Sequence, residues 1–417
     1  MSCSEWKTVR LADLIEIKHG YAFKGKYFSE DETNLILLTP GNFKIGGGFQ
    51  SKKYKYYNNE GEIPEQYILK KDDLLVTMTD LSKNGDTLGF PLKVPNIDGK
   101  TLLHNQRLGK IIINSDLVDS NYLYYLMCSK EYRNEILSSA TGTTVKHTAP
   151  ERIVKFEFKL PPLEEQEKIA NILSSLDDKI ELNNEMNKTL EEMAQSIFKR
   201  WFVDFEFPNE DGQPYKSSGG EMVESELGMI PKGWEVKKYV DISDIQYGYA
   251  FKSKLFNEVE GMPIIRIRDI SNSCSPTFTT EEYNDIYIVK KNDILVGMDG
   301  EFKAHIWSGK NALLNQRVLR IRPKEQNSLA FNYFAIKEPL RYLENAKVGT
   351  TVIHLGRKDI DEIKVIYPTL DLIKKYKDIS DNIINQISEN RFENIYLSDL
   401  RCTILPKLIN REIKLDK

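Results

Sequence analysis

The sequence predicts an α+β protein in which two pseudo-repeated, strand-rich lobes are separated by two long helices. The helices are expected to pair as an antiparallel coiled coil and to relate the lobes by a pseudo-two-fold axis. Three observations predict this fold: an ordered internal repeat, a heptad spacing after each lobe, and a length of 417 residues, which suits more than one core. The expected segments are lobe 1, helix 1, a linker, lobe 2 and helix 2, at residues 1–160, 161–208, 209–233, 234–367 and 368–412.

The internal repeat keeps its order along the chain while its offset falls. Residues 20–24, Gly-Tyr-Ala-Phe-Lys, recur at 248–252, an offset of 228. The run 71–76 recurs at offset 220, Asn-Gln-Arg at 105–107 recurs at offset 210, and Gly-Thr-Thr-Val at 142–145 recurs at offset 207. An order kept over four blocks indicates duplication and not chance similarity.

The falling offset shows that lobe 1 has the longer connections. Its extra residues are assigned to stretches rich in Gly, Asn, Lys and Tyr, which are typical of loops, at 44–49, 52–57 and 82–98. Short apolar runs between them predict strands at residues 35–38, 74–77, 110–113, 264–267 and 318–321. A short helix is expected around residues 122–128.

A long helix is predicted after each lobe. Pro161 and Pro162 followed by Glu164 and Glu165 suit a helix start, where proline is tolerated and the dipole favours acids. An apolar seam at alternating spacings of four and three then continues for about 50 Å. The first seam contains Ile169, Leu173, Leu176, Ile180, Asn183, Asn187, Leu190, Ala194, Ile197 and Trp201. The positions 207 residues later form the second seam, Tyr376, Ser380, Ile383, Ile387, Asn390, Asn394, Leu397, Arg401, Ile404 and Leu408.

The second seam is more polar, and Pro406 is expected to kink or end its helix. A helix that lies on its own lobe is the alternative to a coiled coil. If the helices are antiparallel, Asn183 should meet Asn394, and Asn187 should meet Asn390. Paired amides inside a seam can fix its register.

The composition predicts a cytoplasmic protein without disulfides. No apolar run approaches the about 18 residues of a spanning helix, and the first residues lack the features of a secretory signal. Cys3, Cys128, Cys274 and Cys402 have no metal-ligand spacing and suit reduced thiols.

Acidity is concentrated on the first helix. The net charge is −4, but each lobe carries +2, whereas residues 161–208 carry −6. Phosphate binding depends on local cations, so a near-neutral lobe can still bind nucleic acid.

Catalytic motifs are missing from the sequence. It has no Asn- or Asp-Pro-Pro-aromatic tetrapeptide, no phosphate-binding Gly-x-x-x-x-Gly-Lys-Ser/Thr loop, and five histidines without metal-ligand spacing. Two Glu-x-Lys triplets at 157–159 and 362–364 do not align in the repeat. We therefore expect no catalysis and no cofactor or metal site in this chain.

The remaining polar residues suit DNA, since Arg and Lys pair with guanine edges and phosphates, and Asn pairs with adenine edges. Solvated or structural roles are the alternative for each of them, and Phe23 and Phe251 are expected in the core. The candidates in lobe 1 are Lys18, His19, Tyr21, Lys24, Lys26, Lys44, Lys52, Lys53, Lys55, Lys83, Asn84, Arg107, Thr143 and Lys146. The candidates in lobe 2 are Tyr247, Tyr249, Lys252, Lys254, Arg266, Arg268, Asn272, Lys303, His305, Arg317 and Thr350. Residues that are identical in both copies cannot by themselves distinguish two different DNA sequences. Discrimination between DNA sequences is therefore assigned to the residues that differ between the copies, especially the loops of unequal length.

The chain resembles the specificity subunits of type I restriction-modification systems. The resemblance covers nearly the whole sequence and is most specific at Leu-Pro-Pro-Leu-Glu-Glu-Gln-Glu-Lys-Ile (160–169), Trp-Phe-Val-Asp-Phe-Glu-Phe-Pro (201–208) and Gly-Met-Ile-Pro-Lys-Gly-Trp (228–234). Residues 369–373, Thr-Leu-Asp-Leu-Ile, depart from the pattern where helix 2 begins.

The resemblance implies two target-recognition domains that each read half of a bipartite DNA site. It implies helices that set the spacer and dock two methyltransferase subunits, together with separate restriction subunits that act as the ATP-driven translocase and cut. S-adenosylmethionine, ATP and Mg would then belong to the partners, and no membrane would be involved. A type II-like or methylation-only system, and a scaffold without a DNA role, remain alternatives.

Overall fold

The computed structural model describes residues 6–51, 54–324, 326–347 and 354–415. The described residues divide into two compact units. Unit 1 contains those up to Asp177 together with those from Asp399 onwards, and unit 2 contains Asp178–Ser398. Each long helix therefore contributes one end to each unit.

Unit 1 is built from short strands and a few helices around apolar runs such as Leu35–Leu38, which is buried throughout. Its strands are β1 (Lys7–Arg10), β2 (Ile15–His19), β3 (Phe28–Ser29), β4 (Leu35–Leu38), β5 (Lys55–Tyr57), β6 (Leu74–Thr77), β7 (Thr79–Asp80), β8 (Pro91–Lys93), β9 (Thr101–His104), β10 (Leu108–Ile113), β11 (Lys146–His147) and β12 (Glu157–Leu160). Its helices are α1 (Ser120–Leu126), α2 (Lys130–Ser138), α3 (Pro150–Ile153) and the start of α4 (Leu163–Phe198). Two four-stranded sheets have the orders β2-β10-β6-β8 and β3-β5-β4-β9, and β1 pairs with β12.

Unit 2 repeats this plan after the end of α4. Its strands are β13 (Met222–Ser225), β14 (Gly228–Pro231), β15 (Glu235–Lys238), β16 (Ser243–Tyr247), β17 (Phe256–Asn257), β18 (Met262–Ile265), β19 (Phe278–Thr279), β20 (Ile288–Val289), β21 (Ile294–Gly297), β22 (Ala304–Ile306), β23 (Ala312–Leu314), β24 (Val318–Pro323) and β25 (Lys364–Tyr367). Its helices are α5 (Tyr239–Ile242), α6 (Leu329–Lys347), α7 (Arg357–Asp361) and much of α8 (Leu370–Ile409).

The strand orders confirm the predicted duplication. The sheet β16-β24-β21-β22 matches β2-β10-β6-β8, and β15 pairs with β25 as β1 pairs with β12. Each unit also contains one parallel pair, β4 with β9 and β18 with β23. The two lobes therefore share one α+β fold, as the sequence predicts.

The shared Gly-Tyr segment is fixed by the same close approach in both units. A Cβ on Gly20 would lie 2.2 Å from the Asn105 carbonyl oxygen, and one on Gly248 would lie 1.9 Å from the Asn315 carbonyl oxygen. The following tyrosines, Tyr21 and Tyr249, bridge to the same two asparagines. Only glycine leaves room for this contact, which explains why the motif recurs.

Two stretches predicted as loops contain strands. Residues 55–57 form β5, and residues 91–93 form β8. Polar and aromatic composition favoured loops, but pairing with β4 and β6 orders both segments. Local propensity is therefore overridden by tertiary pairing here.

Both long helices form, within shorter bounds than the expected 161–208 and 368–412: α4 covers Leu163–Phe198 and α8 covers Leu370–Ile409. Ile169 and Leu173 of α4 share the core of unit 1 with Leu405 and Leu408 of α8. The predicted seam residues are all buried or half-buried. Helix α8 continues past Pro406 to Ile409, so the proline does not end it.

Membrane insertion is not indicated by any described helix. Within residues 6–51, 54–324, 326–347 and 354–415, no helix combines the length and apolar character required to cross a bilayer.

Candidate nucleic-acid interface

The shared Gly-Tyr-Ala-Phe-Lys motif forms an aromatic patch in each unit. Tyr21 stacks on Tyr67 with ring centroids 5.2 Å apart, and Tyr249 lies 5.3 Å from Tyr287. The phenylalanines of the motif, Phe23 and Phe251, are buried as predicted. The two patches therefore share the same aromatic chemistry.

The lysines of this motif lie beside carboxylates. Lys24 Nζ is 3.9 Å from Glu62, and Lys252 Nζ is 4.0 Å from Glu281. Lys26 lies over the Tyr27 ring, whereas Lys254 is exposed. The acidic neighbours weaken the positive field that a phosphate would meet at these patches.

A second group of candidates in unit 1 surrounds a loop anchored by Asp80. Asp80 is buried and accepts hydrogen bonds from the backbone N–H of Ser82 at 2.6 Å and from the Thr87 hydroxyl at 2.6 Å. Burial raises the pKa of Asp80, but the bonds from Thr87 and Ser82 outweigh it and lower the pKa below its ordinary value. The loop held by this carboxylate carries Lys83 and Asn84, which are both exposed.

Two further candidates lie next to the Asp80 loop. Lys146 pairs with Asp80 in the short ladder between β7 and β11, and Thr143 is exposed on the turn that leads into β11. The structure therefore brings Lys83, Asn84, Thr143 and Lys146 to one part of unit 1.

In unit 2 three of the candidates line a cleft of 270 Å³. Arg268, Lys303 and His305 line it together with Glu301, whose carboxylate is 2.6 Å from Lys303 Nζ. Burial, with help from Arg391, Lys337 and Lys303, lowers the pKa of His305, so its ring is neutral at pH 7. A guanidinium, an ammonium and a neutral imidazole at one cleft can donate to base edges or phosphates.

Several candidates have structural partners instead. Arg266 donates to the Thr277 hydroxyl and lies 3.6 Å from Asp269, and Lys55 lies over the Phe28 ring. Tyr247 is half-buried beneath the Arg357 guanidinium, and burial raises the pKa of its hydroxyl. These side chains therefore make structural contacts within their own units.

The other candidates are distributed over the surfaces of the two units. Lys44 occupies a tight turn closed by its own N–H to the Gly48 carbonyl, and Arg317 lies 3.2 Å from His354 Nδ1. The exposed remainder consists of Lys18, His19, Arg107 and Asn272. Lys52, Lys53 and Thr350 lie outside the described residues.

Sequence reasoning missed a histidine that recurs in the repeat. His147 Nδ1 lies 3.1 Å from the Thr79 hydroxyl, and His354 Nδ1 lies 2.7 Å from Asp299 Oδ1. The offset of 207 that relates the Gly-Thr-Thr-Val blocks also relates these histidines, and this was the available signal. His147 therefore connects the segment after its Gly-Thr-Thr-Val block to β7, which follows β6. His354 connects the segment after the second block to the residues that follow β21.

The helix pair contains a polar centre within unit 2. Asn183 Nδ2 donates to Asn394 Oδ1 at 2.9 Å, and Asn390 Nδ2 donates to Asn187 Oδ1 at 2.9 Å. This is the pairing that antiparallel helices require. In unit 1 the same two helices are joined by an ion pair between Asp177 and Arg401.

Metal-binding side chains are not gathered in the described part of the chain. Among those residues, no group of three or more His, Cys, Asp or Glu side chains is placed to hold a metal ion.

Comparison with known proteins identifies the family. The family described as type I restriction modification DNA specificity domain matches residues 3–192 and 231–395. The type I restriction enzyme HindI specificity subunit of Haemophilus influenzae is 26% identical over 79% of this chain and 87% of its own length. The MjaVIII specificity subunit of Methanocaldococcus jannaschii is 25% identical over 98% of this chain and 93% of its own length.

A solved structure supports the fold. The type I restriction-modification S subunit from M. genitalium superimposes with a TM-score of 0.59 at 16% identity, covering 100% of this chain and 98% of that one. Because both repeats of the sequence are matched, the chain belongs to the family of type I restriction-modification DNA specificity subunits.

Proposed function

We propose that this chain is the non-catalytic DNA-recognition subunit of a type I restriction-modification complex, and that each unit reads one half of a bipartite, asymmetric site. Such a subunit selects DNA, so we expect it in the cytoplasm, where the chromosome is. Methylation and cleavage are assigned to partner subunits.

One observation carries the proposal: the two units present different side chains on the same turn. The Asn42 amide oxygen accepts from the Thr39 N–H at 2.9 Å, and the Asp269 carboxylate accepts from the Arg266 N–H at 2.9 Å. Between these anchors, unit 1 has Pro40 and Gly41 where unit 2 has Ile267 and Arg268. A common scaffold with unlike side chains is what two readers of unlike half-sites require.

The cleft in unit 2 extends this difference. Arg268 on that turn faces the same cleft as Lys303 and His305. Unit 1 instead carries the longer Asp80 loop with Lys83 and Asn84. The proposed readers therefore differ in charge, in length and in hydrogen-bonding groups.

The helix pair is proposed to set the spacer and to dock two methyltransferase subunits. Helix α4 carries exposed apolar side chains at Leu182, Met186 and Met193, which are 40–50% exposed. Such side chains on an acidic helix suit a protein partner better than DNA. Restriction and translocase subunits would join the same complex, with S-adenosylmethionine, ATP and Mg bound by the partners.

Exchange of one lobe tests the division of labour. Replacement of residues 234–367 by the equivalent lobe of another family member should change one half-site only. The measurement is methylome sequencing of cells that carry the chimera with its methyltransferase. A change in both half-sites, or in neither, would contradict the proposal.

Shortening the helices tests the spacer. Removal of seven residues from both α4 and α8 shortens the pair by about 10 Å, the rise of about 3 base pairs. The spacer in the methylated sites should shrink accordingly while both half-sites stay unchanged. An unaltered spacer would show that the helices do not set it.

The remaining alternatives give different outcomes. Methylation without cleavage would indicate a methylation-only system, and cleavage at a fixed position near the site would indicate a type II-like system. A complex that retains no specific DNA at low salt would favour a scaffold without a DNA role.

A further inference from the structure

Two tryptophans occupy equivalent positions in the two units. Trp6 precedes β1, which pairs with β12, and Trp234 precedes β15, which pairs with β25. The registers correspond as well, since Lys7 faces Leu160 and Glu235 faces Tyr367. The surroundings of the two rings can therefore be compared position by position.

In unit 2 the tryptophan is covered by the segment that follows α4. The Trp234 ring centroid lies 5.9 Å from that of Phe202, 5.6 Å from Phe205 and 5.1 Å from Phe207. Trp234 is only 6% exposed as a result. The cover is held by a turn in which Tyr215 stacks on Phe207 at 4.6 Å.

In unit 1 the segment that follows α8 lacks these aromatic side chains. The offset of 207 places Ile409, Glu412 and Lys414 where the phenylalanines of unit 2 stand. Trp6 is only half-buried: it packs against the core of unit 1, its indole N–H donates to the Glu165 carboxylate at 3.0 Å, and it belongs to none of the close ring pairs among the described residues. The Arg411 guanidinium, 5.6 Å from the ring centroid, is its neighbour from the tail.

The uncovered side of Trp6 opens into a cavity of 810 Å³, which we call the Trp6 groove. Its lining includes the rings of Trp6, Phe156 and Phe158 and the charged side chains of Lys159, Arg411, Glu131 and Glu157. Phe156 and Phe158 form one wall with their rings stacked at 5.8 Å. This volume lies within the range of sites that bind ligands and is large enough for several side chains.

We infer that the Trp6 groove binds an extended segment of a methyltransferase partner subunit that presents two aromatic side chains two positions apart. The chemistry of the occupant is given by unit 2, where Phe205 and Phe207 cover the equivalent tryptophan. The partner's identity rests on the proposed function. Arg411 and Lys159 at the groove suit carboxylates beside the aromatic pair, as Asp204 and Glu206 stand beside those phenylalanines. Of the two carboxylates in the lining, Glu157 is paired with Arg10, and Glu131 accepts from the Asn410 amide.

The corresponding segment of this chain is not free to fill the groove. Phe205 and Phe207 are already packed on Trp234, and Glu206 accepts from the Ser217 N–H at 3.1 Å in the same turn. In the described tail of unit 1, Leu415 is the apolar residue that packs against the core. The described residues of unit 1 therefore do not supply the aromatic cover that unit 2 provides for its tryptophan.

A peptide probe tests the chemistry. A labelled peptide with the sequence of residues 203–216 should bind the full chain, and the same peptide with both phenylalanines changed to alanine should not. Phe158→Glu in the chain should weaken peptide binding about tenfold or more, because aromatic contacts dominate such interfaces. Leu117→Glu, at an exposed leucine of unit 1, is the matched control and should change little. Fluorescence anisotropy gives the affinities.

The partner is tested by assembly of the full chain with its methyltransferase subunit in the absence of DNA. The peptide should compete with the methyltransferase, and Phe158→Glu should weaken assembly about tenfold or more while Leu117→Glu does not. Unchanged assembly without competition overturns the inference. Peptide binding that appears only after deletion of residues 1–5 also overturns it, because the chain's own end would be the occupant.

Two further results separate the possible failures. Self-association of the chain that is abolished by Phe158→Glu would make a second copy the occupant and would overturn the inference. A complex that assembles through the groove but does not retain specific DNA would contradict the proposed function and leave the groove assignment intact.

Discussion

The side-chain amide of Asn390 donates to the amide oxygen of Asn187 at 2.9 Å, between two helices that are more than 200 residues apart in sequence. Both side chains are almost fully buried. The next polar pair along the seam, Asn183 and Asn394, is joined in the same way. The amides bond to each other in this register and lose these partners if either helix slides, so the two pairs favour one alignment over its neighbours.

The first prediction concerns this pair. Asn187→Leu alone should destabilise the chain by about 1–3 kcal/mol, because the side-chain N–H of the buried Asn390 then loses its acceptor, although its amide oxygen still accepts from Gln386. Asn187→Leu with Asn390→Leu should recover much of that loss. Denaturant unfolding of both single variants and the double variant gives the coupling energy, and strictly additive effects would contradict a direct interaction.

The second prediction concerns the shared glycines. Gly20→Ala and Gly248→Ala should each destabilise their unit by about 1–3 kcal/mol, because the new Cβ meets a backbone carbonyl that cannot easily move. Gly25→Ala is the matched control, since nothing lies within 4 Å of its added Cβ. Thermal unfolding of the three variants is the measurement. Equal stability of Gly20→Ala and Gly25→Ala would show that the contact with Asn105 is not limiting.

The third prediction concerns pH. Burial lowers the pKa of His104 from 6.5 to about 4, and its Nε2 lies 2.9 Å from the Leu108 carbonyl oxygen. Between pH 6.5 and 4 the unfolded chain is protonated at this histidine, whereas the folded chain is not. The free energy of unfolding therefore decreases as the pH falls through that window. Between pH 7 and 4.5 the loss should be about 2–3 kcal/mol larger in the wild type than in His104→Gln.

Denaturant unfolding at the two pH values checks the role of His104. Identical pH profiles for the wild type and His104→Gln would argue against a buried neutral imidazole.

The fourth prediction concerns the Asp80 loop. Asp80→Ala removes the acceptor for Ser82 and Thr87, so the loop that carries Lys83 and Asn84 should lose its fixed conformation. We expect weaker recognition of the half-site read by unit 1, with the other half-site unaffected. Binding of the assembled complex to DNA with one half-site altered at a time is the measurement. Equal loss at both half-sites would indicate global destabilisation instead.

The fifth prediction concerns the cleft of unit 2. Arg268→Ala should lower the affinity for the correct half-site by about 1–3 kcal/mol and relax the base preference there. Lys303→Ala should act through phosphate and lower the salt dependence of binding by about one unit of slope. Arg341→Ala, at an exposed arginine on α6, is the control. Effects of the same size at all three positions would contradict a defined site.

Local rules explain where sequence reasoning stops. The run 35–38 is apolar throughout and forms a strand as predicted, because four consecutive apolar residues are typical of a strand that is buried on both faces. Residues 55–57 form a strand only because β3 and β4 flank them. Pro406 lies within the last turn of α8, where packing of Leu405 and Leu408 against the core maintains the helix.

The candidate sites show the same limit. Arg266 and Arg268 are two residues apart and chemically equal in sequence, yet Arg266 is held by Thr277 while Arg268 lines an open cleft. Asp80 is not among the candidates from the sequence, because an acidic side chain is not expected to contact DNA. Its role as the hydrogen-bond acceptor that holds the loop is visible only in the structure.

The sequence by itself determined that the protein is a doubled α+β chain with two heptad helices, because repeats and apolar periodicity are properties of order along the chain. It also indicated the family, since the motifs that carry the resemblance are contiguous. Only the tertiary structure decided which polar side chains meet and which aromatic surface is left uncovered. Those depend on contacts between residues far apart in sequence, where small differences in burial and partner geometry decide the outcome.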